Sequence, residues 1–164
     1  MRCKLKKLSN LSGNAASVYS LIVGEEEKTL FETFLEENMS SSRNELSEMV
    51  SRIKIMGNKI GARENFFKIN EGNPGDLVCA LYDNPNKHLR LYCIRYGSSL
   101  IILGGGGVKN VRALQDDPKL AKENSILREL STMIKERMDL GEIEFSSDYL
   151  DLEGNLTFND ENYE

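Results

Sequence analysis

The sequence predicts an α+β fold in which a small, twisted antiparallel sheet packs against an N-terminal helical hairpin and a C-terminal helix. The first observation is a run of three apolar segments between Gly75 and Lys109, separated by turn-forming residues at 83–86 and 97–99. Segments of this length, rich in Leu, Ile, Val and Tyr, are typical of strands. The short loops between them favour antiparallel pairing. The other observations are two helical apolar stripes before this meander and a longer one after it.

The elements before the meander are one strand and two helices. Residues 16–23 are rich in β-branched side chains and predict an edge strand. The first helix follows the acidic triplet 25–27, because a helix dipole stabilises anions at its N-terminus. The second begins at Ser42, which is expected to form a capping box with Glu45, and ends at Gly57. A few polar residues join these helices, which predicts an antiparallel helical hairpin.

The meander occupies residues 77–82, 88–96 and 100–103, preceded by a short strand candidate at 66–69. Four consecutive glycines, 104–107, follow the third strand. Their spacing does not match a phosphate-binding loop, since no Gly-Lys-Ser/Thr ends the run. We expect a mobile connection that lets Lys109 and Arg112 approach the open face of the sheet.

The last helix is expected to begin at Asp117 and Pro118, an N-cap followed by proline at the first helical position. It ends at Gly141. We therefore expect one α+β domain over residues 1–141. Residues 142–164 form an acidic C-terminal extension, which is either an edge hairpin or a partly disordered tail.

Composition excludes several classes of function. No apolar stretch reaches the roughly 20 residues that span a bilayer, so no membrane association is expected. The three cysteines and single histidine show no metal-binding spacing, and they support neither a zinc site nor a serine-type triad. An odd number of cysteines favours a reduced, cytoplasmic protein. We expect no cofactor and no metal ion, and no small-molecule ligand is indicated.

Charge is unevenly distributed along the chain. The net charge is −5, yet residues 50–112 carry ten bases and four acids, whereas residues 139–164 carry nine acids and no base. The total argues against non-specific nucleic-acid binding, while the cationic middle favours a local anion-facing surface. The alternative is that both stretches are ordinary solvated faces.

The second strand of the meander contains the candidate site. Alternation places Arg90, Tyr92, Ile94 and Tyr96 on one face and a mostly apolar set on the other. An arginine flanked by aromatic rings can bind an anion or stack a base. Alternatively, these side chains simply cover the open face of an antiparallel sheet.

This order of elements resembles the RelE/ParE toxin superfamily, especially its HigB-like branch. The resemblance covers roughly residues 25–135. Its motifs are Phe-Phe-Lys at 66–68, Gly-Asp-Leu at 75–77, Leu-Arg-Leu-Tyr at 89–92, and an apolar strand ending near Lys109. It implies a RelE/ParE-like fold and a ribosome-dependent mRNA endoribonuclease, which a helix-turn-helix type antitoxin holds inactive.

The resemblance also implies roles for individual residues. Arg90 would hold the scissile phosphate, Lys109 would supply a second cation, and Tyr92 would stack a base or position the attacking 2′-hydroxyl; these are the expected catalytic residues. The expected RNA-binding residues are Lys68, Arg63, Arg95 and Arg112.

The sequence departs from the family in its general base, because no histidine or other clear base follows the meander. Two alternatives therefore stay open. The same fold could be a non-enzymatic module that engages a protein partner, or the acidic C-terminal segment could fold over the cationic middle and occupy it.

Overall fold

The structure, a computed structural model, describes residues 1–69, 71–110 and 116–159. Its helices are α1 (Leu30–Asn38), α2 (Arg43–Ile55) and α3 (Pro118–Asp139), with a π-helical turn at Met56–Ile60 and a 3₁₀ turn at Glu64–Phe66. Its strands are β1 (Cys3–Lys7), β2 (Ser17–Val23), β3 (Phe67–Lys68), β4 (Val78–Tyr82), β5 (Leu89–Tyr96), β6 (Leu100–Val108), β7 (Ile143–Phe145), β8 (Leu152–Gly154) and β9 (Thr157–Phe158).

Within these residues, seven strands form one mixed sheet in the order β3-β4-β5-β6-β2-β1-β9. Strand β2 pairs parallel to β6, and the other pairs are antiparallel. The prediction of a small antiparallel sheet is therefore wrong. Strand β2 was expected at an edge but lies between β6 and β1, and its first five residues are buried. Burial on both faces is what a strand covered by helices on each side shows.

Strand β1 was not predicted, although its side chains alternate. Cys3 and Leu5 are buried, while Lys4, Lys6 and Lys7 are exposed. Because three of its five residues are exposed lysines, the segment has few apolar residues, and the alternation of buried and exposed side chains is hard to recognise in the sequence. Strand β9 joins the outer side of β1, which places residues of the acidic C-terminal segment in the main sheet.

Helices cover both faces of the sheet. Helices α1 and α2 share one apolar cluster with Leu89, Leu91 and Cys93 of β5, whereas α3 packs on the face that carries Tyr92 and Ile94. The expected N-terminal helical hairpin is wrong, because α1 packs chiefly on β6 and β2 and makes little contact with α2. Both helices pack on the sheet through side chains of the shared cluster. Their positions are therefore set by contacts with the sheet more than by contacts with each other.

The predicted meander is confirmed, since β4, β5 and β6 are successive antiparallel neighbours. The glycine run was expected to be a mobile connection, and that expectation is wrong. Gly104–Gly107 belong to β6 and lie beneath α3. A Cβ on Gly104 would come within 2.8 Å of Leu127 Cδ1, so the missing side chains allow the helix to approach the strand closely.

The helix ends show which of the predicted capping motifs form in the structure. Asp117 caps α3 by accepting from the Leu120 N–H at 3.1 Å, with Pro118 in the first turn, as predicted. The expected capping box at Ser42 is absent, because the Ser42 side chain makes no capping hydrogen bond. A capping box is present instead at Thr29, the N-cap of α1. Helix α2 does not stop at Gly57 but continues into the π-helical turn.

The C-terminal segment lies at the edge of the sheet opposite β3. Strands β7 and β8 form a separate two-stranded ribbon, and β9 extends the main sheet. Arg137 of α3 donates to the carbonyl oxygens of Asn155 at 2.7 Å and Thr157 at 2.6 Å, and its guanidinium lies 4.1 Å from the Phe158 ring centroid. In the part of the chain described, no helix combines the length and apolar character needed to cross a membrane.

Candidate anion-binding pocket

A pocket of about 520 Å³ lies at the β3–β4 edge of the sheet. We call it the cationic pocket, because four basic side chains line it together with aromatic rings. The residues that matter here are Arg52, Phe66, Lys68, Tyr82, Lys87 and Lys109.

Three separate backbone segments bring the lysines together. Lys68 lies on β3, opposite Ala80 of β4. Lys87 has a positive φ of 52° in the loop between β4 and β5, and its N–H donates to the Asp83 carbonyl. Lys109 follows β6, and its N–H donates to the His88 carbonyl at 3.0 Å. The pocket therefore depends on the meander, which holds both loops at one end.

Only part of this positive charge is neutralised. Arg52 forms a bidentate ion pair with Glu48, and Lys68 lies 3.3 Å from a Glu71 carboxylate oxygen. Lys87 and Lys109 make no ion pair with any acid of the described residues. Two lysines without counter-ions therefore converge on one pocket, which favours an anionic ligand.

The surroundings of Lys109 disfavour the protonated, charged form of its side chain. Loss of solvent, followed by repulsion from Arg90 and Lys68, lowers the pKa of its ammonium group. The ammonium nitrogen lies 5.6 Å from the Tyr82 ring centroid, where a cation–π interaction supplies part of the lost stabilisation. A bound phosphate would relieve the remaining repulsion and would raise that pKa.

Arg90 lies behind Tyr82, and not in the pocket wall. Its side chain is 4% exposed, and its Nη1 and Nη2 donate to the hydroxyls of Tyr92 and Tyr82. Burial opposes its charge, but the hydrogen bond to Tyr92 and the nearby Tyr82 and Glu71 outweigh burial, so the pKa of Arg90 is raised. No described carboxylate lies within hydrogen-bond reach, and Nε has no partner among the described residues.

The expectation that Arg90 and Tyr92 face an open sheet surface is wrong, because α3 covers that face and Tyr92 is fully buried. Arg90 and Lys109 do lie on the same side of the sheet, since both are close to the Tyr82 ring, the guanidinium carbon at 5.0 Å from its centroid. In this arrangement Arg90 acts on the pocket through Tyr82. Direct catalytic roles for Arg90, Lys109 and Tyr92 stay predictions.

The other predicted RNA-binding residues are distributed over the molecule. Lys68 lines the pocket, whereas exposed Arg63 and half-buried Arg95 do not. Arg95 is about 17 Å along β5 from Arg90 at the usual rise per residue. Its Nε donates to the Ala62 carbonyl at 2.7 Å. Arg112 lies outside the described residues.

Four of the pocket residues named above were not predicted as site residues: Arg52, Phe66, Tyr82 and Lys87. Tyr82 is the cross-strand partner of Arg90, so knowledge of the β4–β5 register would have found it. Lys87 lies in the turn between β4 and β5, where the sequence predicts only a break between two strands. Phe66 was assigned to a strand but lies in the 3₁₀ turn, where its half-buried ring lines the pocket.

In comparisons with known proteins, the chain matches no family model, no curated protein and no solved structure.

Proposed function

We propose that this protein binds single-stranded RNA in the cationic pocket and acts as a ribosome-associated mRNA endoribonuclease, the RelE/HigB-like toxin of a toxin–antitoxin pair. The observation that carries the proposal is the convergence of Lys87 and Lys109, without counter-ions, on a pocket that also contains aromatic rings. Lysines bind the phosphate backbone, while rings such as Phe66 stack bases.

The residues in and behind the pocket have separate roles in phosphodiester cleavage. Lys87 and Lys109 stabilise the charge that develops on the phosphate oxygens. Arg90 fixes the orientation of Tyr82 through its hydroxyl, and Tyr82 presents its ring to the pocket. The ribosome supplies the acid–base groups in this scheme.

A helix-turn-helix type antitoxin is the partner that this function requires, and the cytoplasm is its compartment. The three cysteines are free thiols, which agrees with a reducing environment.

Expression without an antitoxin in a bacterial host tests the proposal. The intact protein should arrest growth and yield truncated mRNA on ribosomes, and Lys109→Ala should relieve the arrest. Lys6→Ala is the matched control, because Lys6 is an exposed lysine on β1, far from the pocket. Arrest by wild type and Lys6→Ala but not by Lys109→Ala supports the proposal.

Normal growth with soluble intact protein would contradict the toxin function. Such a result combined with preserved RNA binding would leave a non-catalytic RNA-binding protein. Co-purification with a protein partner, without RNA binding, would favour the non-enzymatic binding module.

A further inference from the structure

A second and larger pocket, of about 770 Å³, lies between α3 and the loop 73–77. We call it the α3 groove. Its volume is in the range of small-molecule sites, which are mostly apolar with a few polar groups that fix orientation. Its lining includes Leu77, Tyr96, Arg128, Ile134 and Met138. None of them lines the cationic pocket.

Arg128 is the unmatched charge of the α3 groove. Its Nε is buried without a hydrogen-bond partner, and its guanidinium forms no ion pair with an acid of the described residues. A bound anion would supply the counter-charge that this half-buried guanidinium lacks among the described residues. The guanidinium is suited to a carboxylate, which it can hold with two parallel hydrogen bonds.

The other charged groups of the α3 groove are already paired. The carboxylate of Asp76 accepts from the N–H groups of Asn73 at 2.7 Å and Val78 at 3.0 Å. Glu129 pairs with the N-terminal amino group at 3.2 Å, and Lys135 pairs with Asp139 at 2.9 Å. Asp76 and Glu129 also line the groove and would repel a second negative charge, so the groove favours a ligand with one.

The apolar part of the α3 groove is held in an unusual conformation. Leu77 is 50% exposed and has a positive φ of 64°, which is uncommon for a bulky residue. Its carbonyl accepts from the Arg95 N–H at 3.1 Å, which fixes this backbone. Strained residues cluster at ligand sites, where surrounding structure maintains them. The strain here presents an apolar side chain to a groove that Ile134 and Met138 also line.

We propose that the α3 groove binds an amphipathic monocarboxylate, with the carboxylate on Arg128 and the apolar chain along Leu77, Ile134 and Met138. This site is separate from the cationic pocket and does not depend on RNA binding there. Both halves of the ligand are required, because the cation recognises the head and the apolar side chains recognise the body.

Binding of decanoate to the full chain tests this proposal, with acetate and 1-decanol as probes that each lack one half. Isothermal titration of the wild type should show saturable binding of decanoate below its micelle concentration. Both acetate and 1-decanol should bind at least about tenfold more weakly. No saturable binding of decanoate, or equal affinity for decanoate and 1-decanol, would overturn the proposal without reference to any variant.

Arg128→Gln should reduce decanoate affinity about tenfold and remove the preference over 1-decanol. Lys122→Gln is the matched control, because Lys122 is an exposed cation of the same helix and does not line the groove. Circular dichroism confirms that each variant is folded. Unchanged decanoate binding by folded Arg128→Gln, or an equal loss in Lys122→Gln, would also overturn it.

Discussion

At the scale of single residues, burial decides how each charged or reactive group behaves. Arg90 is buried against two neutral phenols and not against a carboxylate. A buried ion is costly, and here the two hydroxyls and the nearby Glu71 carboxylate compensate it. Arg90 does not line the cationic pocket, but its hydrogen bond orients Tyr82, which forms one wall of that pocket.

The cysteines show the same dependence on burial. Burial raises the pKa of the Cys3 thiol to about 11 and that of Cys93 well above its usual range. Since the thiolate is the reactive form, we expect no reaction of the folded protein with a thiol reagent such as DTNB at about pH 8. Reactivity of Cys3 should appear only as the pH rises towards its raised pKa. Unfolding in guanidinium should expose all three thiols, and rapid labelling of the native protein would contradict this burial.

The residues of the candidate site could be predicted from the sequence only in part. The period of two placed Arg90 and Tyr92 on one face, which is correct because it depends on strand geometry alone. It could not reveal that α3 covers this face, because helix packing depends on long-range contacts. Lys87 and Tyr82 were missed for a related reason: a loop residue and a cross-strand partner are placed by register, which short sequence windows do not determine.

At the scale of elements, the glycines of β6 allow α3 and the neighbouring strand β5 to pack closely against this strand. A Cβ on Gly106 would overlap the carbonyl oxygen of Arg90 on the neighbouring strand, whereas a Cβ on Gly107 would meet nothing nearer than 3.7 Å. The two glycines are adjacent in β6 and differ in the space around them. Alanine substitutions at these two positions can therefore be compared directly.

We expect Gly106→Ala to lower the free energy of unfolding by about 1–3 kcal/mol, because strands β5 and β6 must separate locally. Gly107→Ala should change it by less than about 0.5 kcal/mol, since the methyl group meets Leu120 and Lys119 only at ordinary van der Waals distance and reduces unfolded-state entropy. Urea denaturation of both variants measures the difference. Equal destabilisation, or a larger effect at Gly107, would contradict the close strand approach.

Helix caps show why local motifs predict some elements better than others. Asp117 adopts the extended backbone that an N-cap needs, and its predicted cap forms. Ser42 matches the capping-box sequence, but its ψ of 39° is not extended and its side chain makes no cap. The same motif at Thr29 and Glu32 does form. The residue types permit a cap, and the path of the preceding chain decides whether it forms.

At the scale of the whole molecule, the order of the strands places the two charged regions far apart. The cationic pocket lies at the β3 edge, while the described acidic C-terminal segment ends on β9 at the opposite edge. Six strand spacings of about 4.8 Å separate these edges by roughly 29 Å. The described part of the acidic segment, residues 142–159, therefore does not occupy the cationic pocket of its own chain.

Truncation after Asn159 should leave RNA affinity unchanged, because β9 lies at the edge of the sheet opposite the pocket, several times farther away than the screening length of about 8 Å at physiological salt. A titration of labelled RNA with both chains measures this. An increase in affinity after truncation would show that the acidic end does compete for the pocket.

The sheet topology is the part of the fold that the sequence left undetermined. Strand β2 pairs in parallel with β6, with Ser17 opposite Leu100, and this pairing joins segments that are distant in the chain. Local patterns identified the strands of the meander because adjacent strands with short loops pair with each other. They could not identify a parallel pairing across two helices and three strands, because no local feature of the sequence encodes it.

The most direct test of the central claim is the affinity of the intact protein for single-stranded RNA as a function of salt. Fluorescence anisotropy should show binding that weakens with salt. The Lys87→Ala/Lys109→Ala double variant should bind about tenfold more weakly, with a salt slope reduced by about 0.7 per lysine removed. Lys6→Ala should match the wild type. Wild-type protein that does not bind RNA, or a double variant that binds it equally well, would contradict the account.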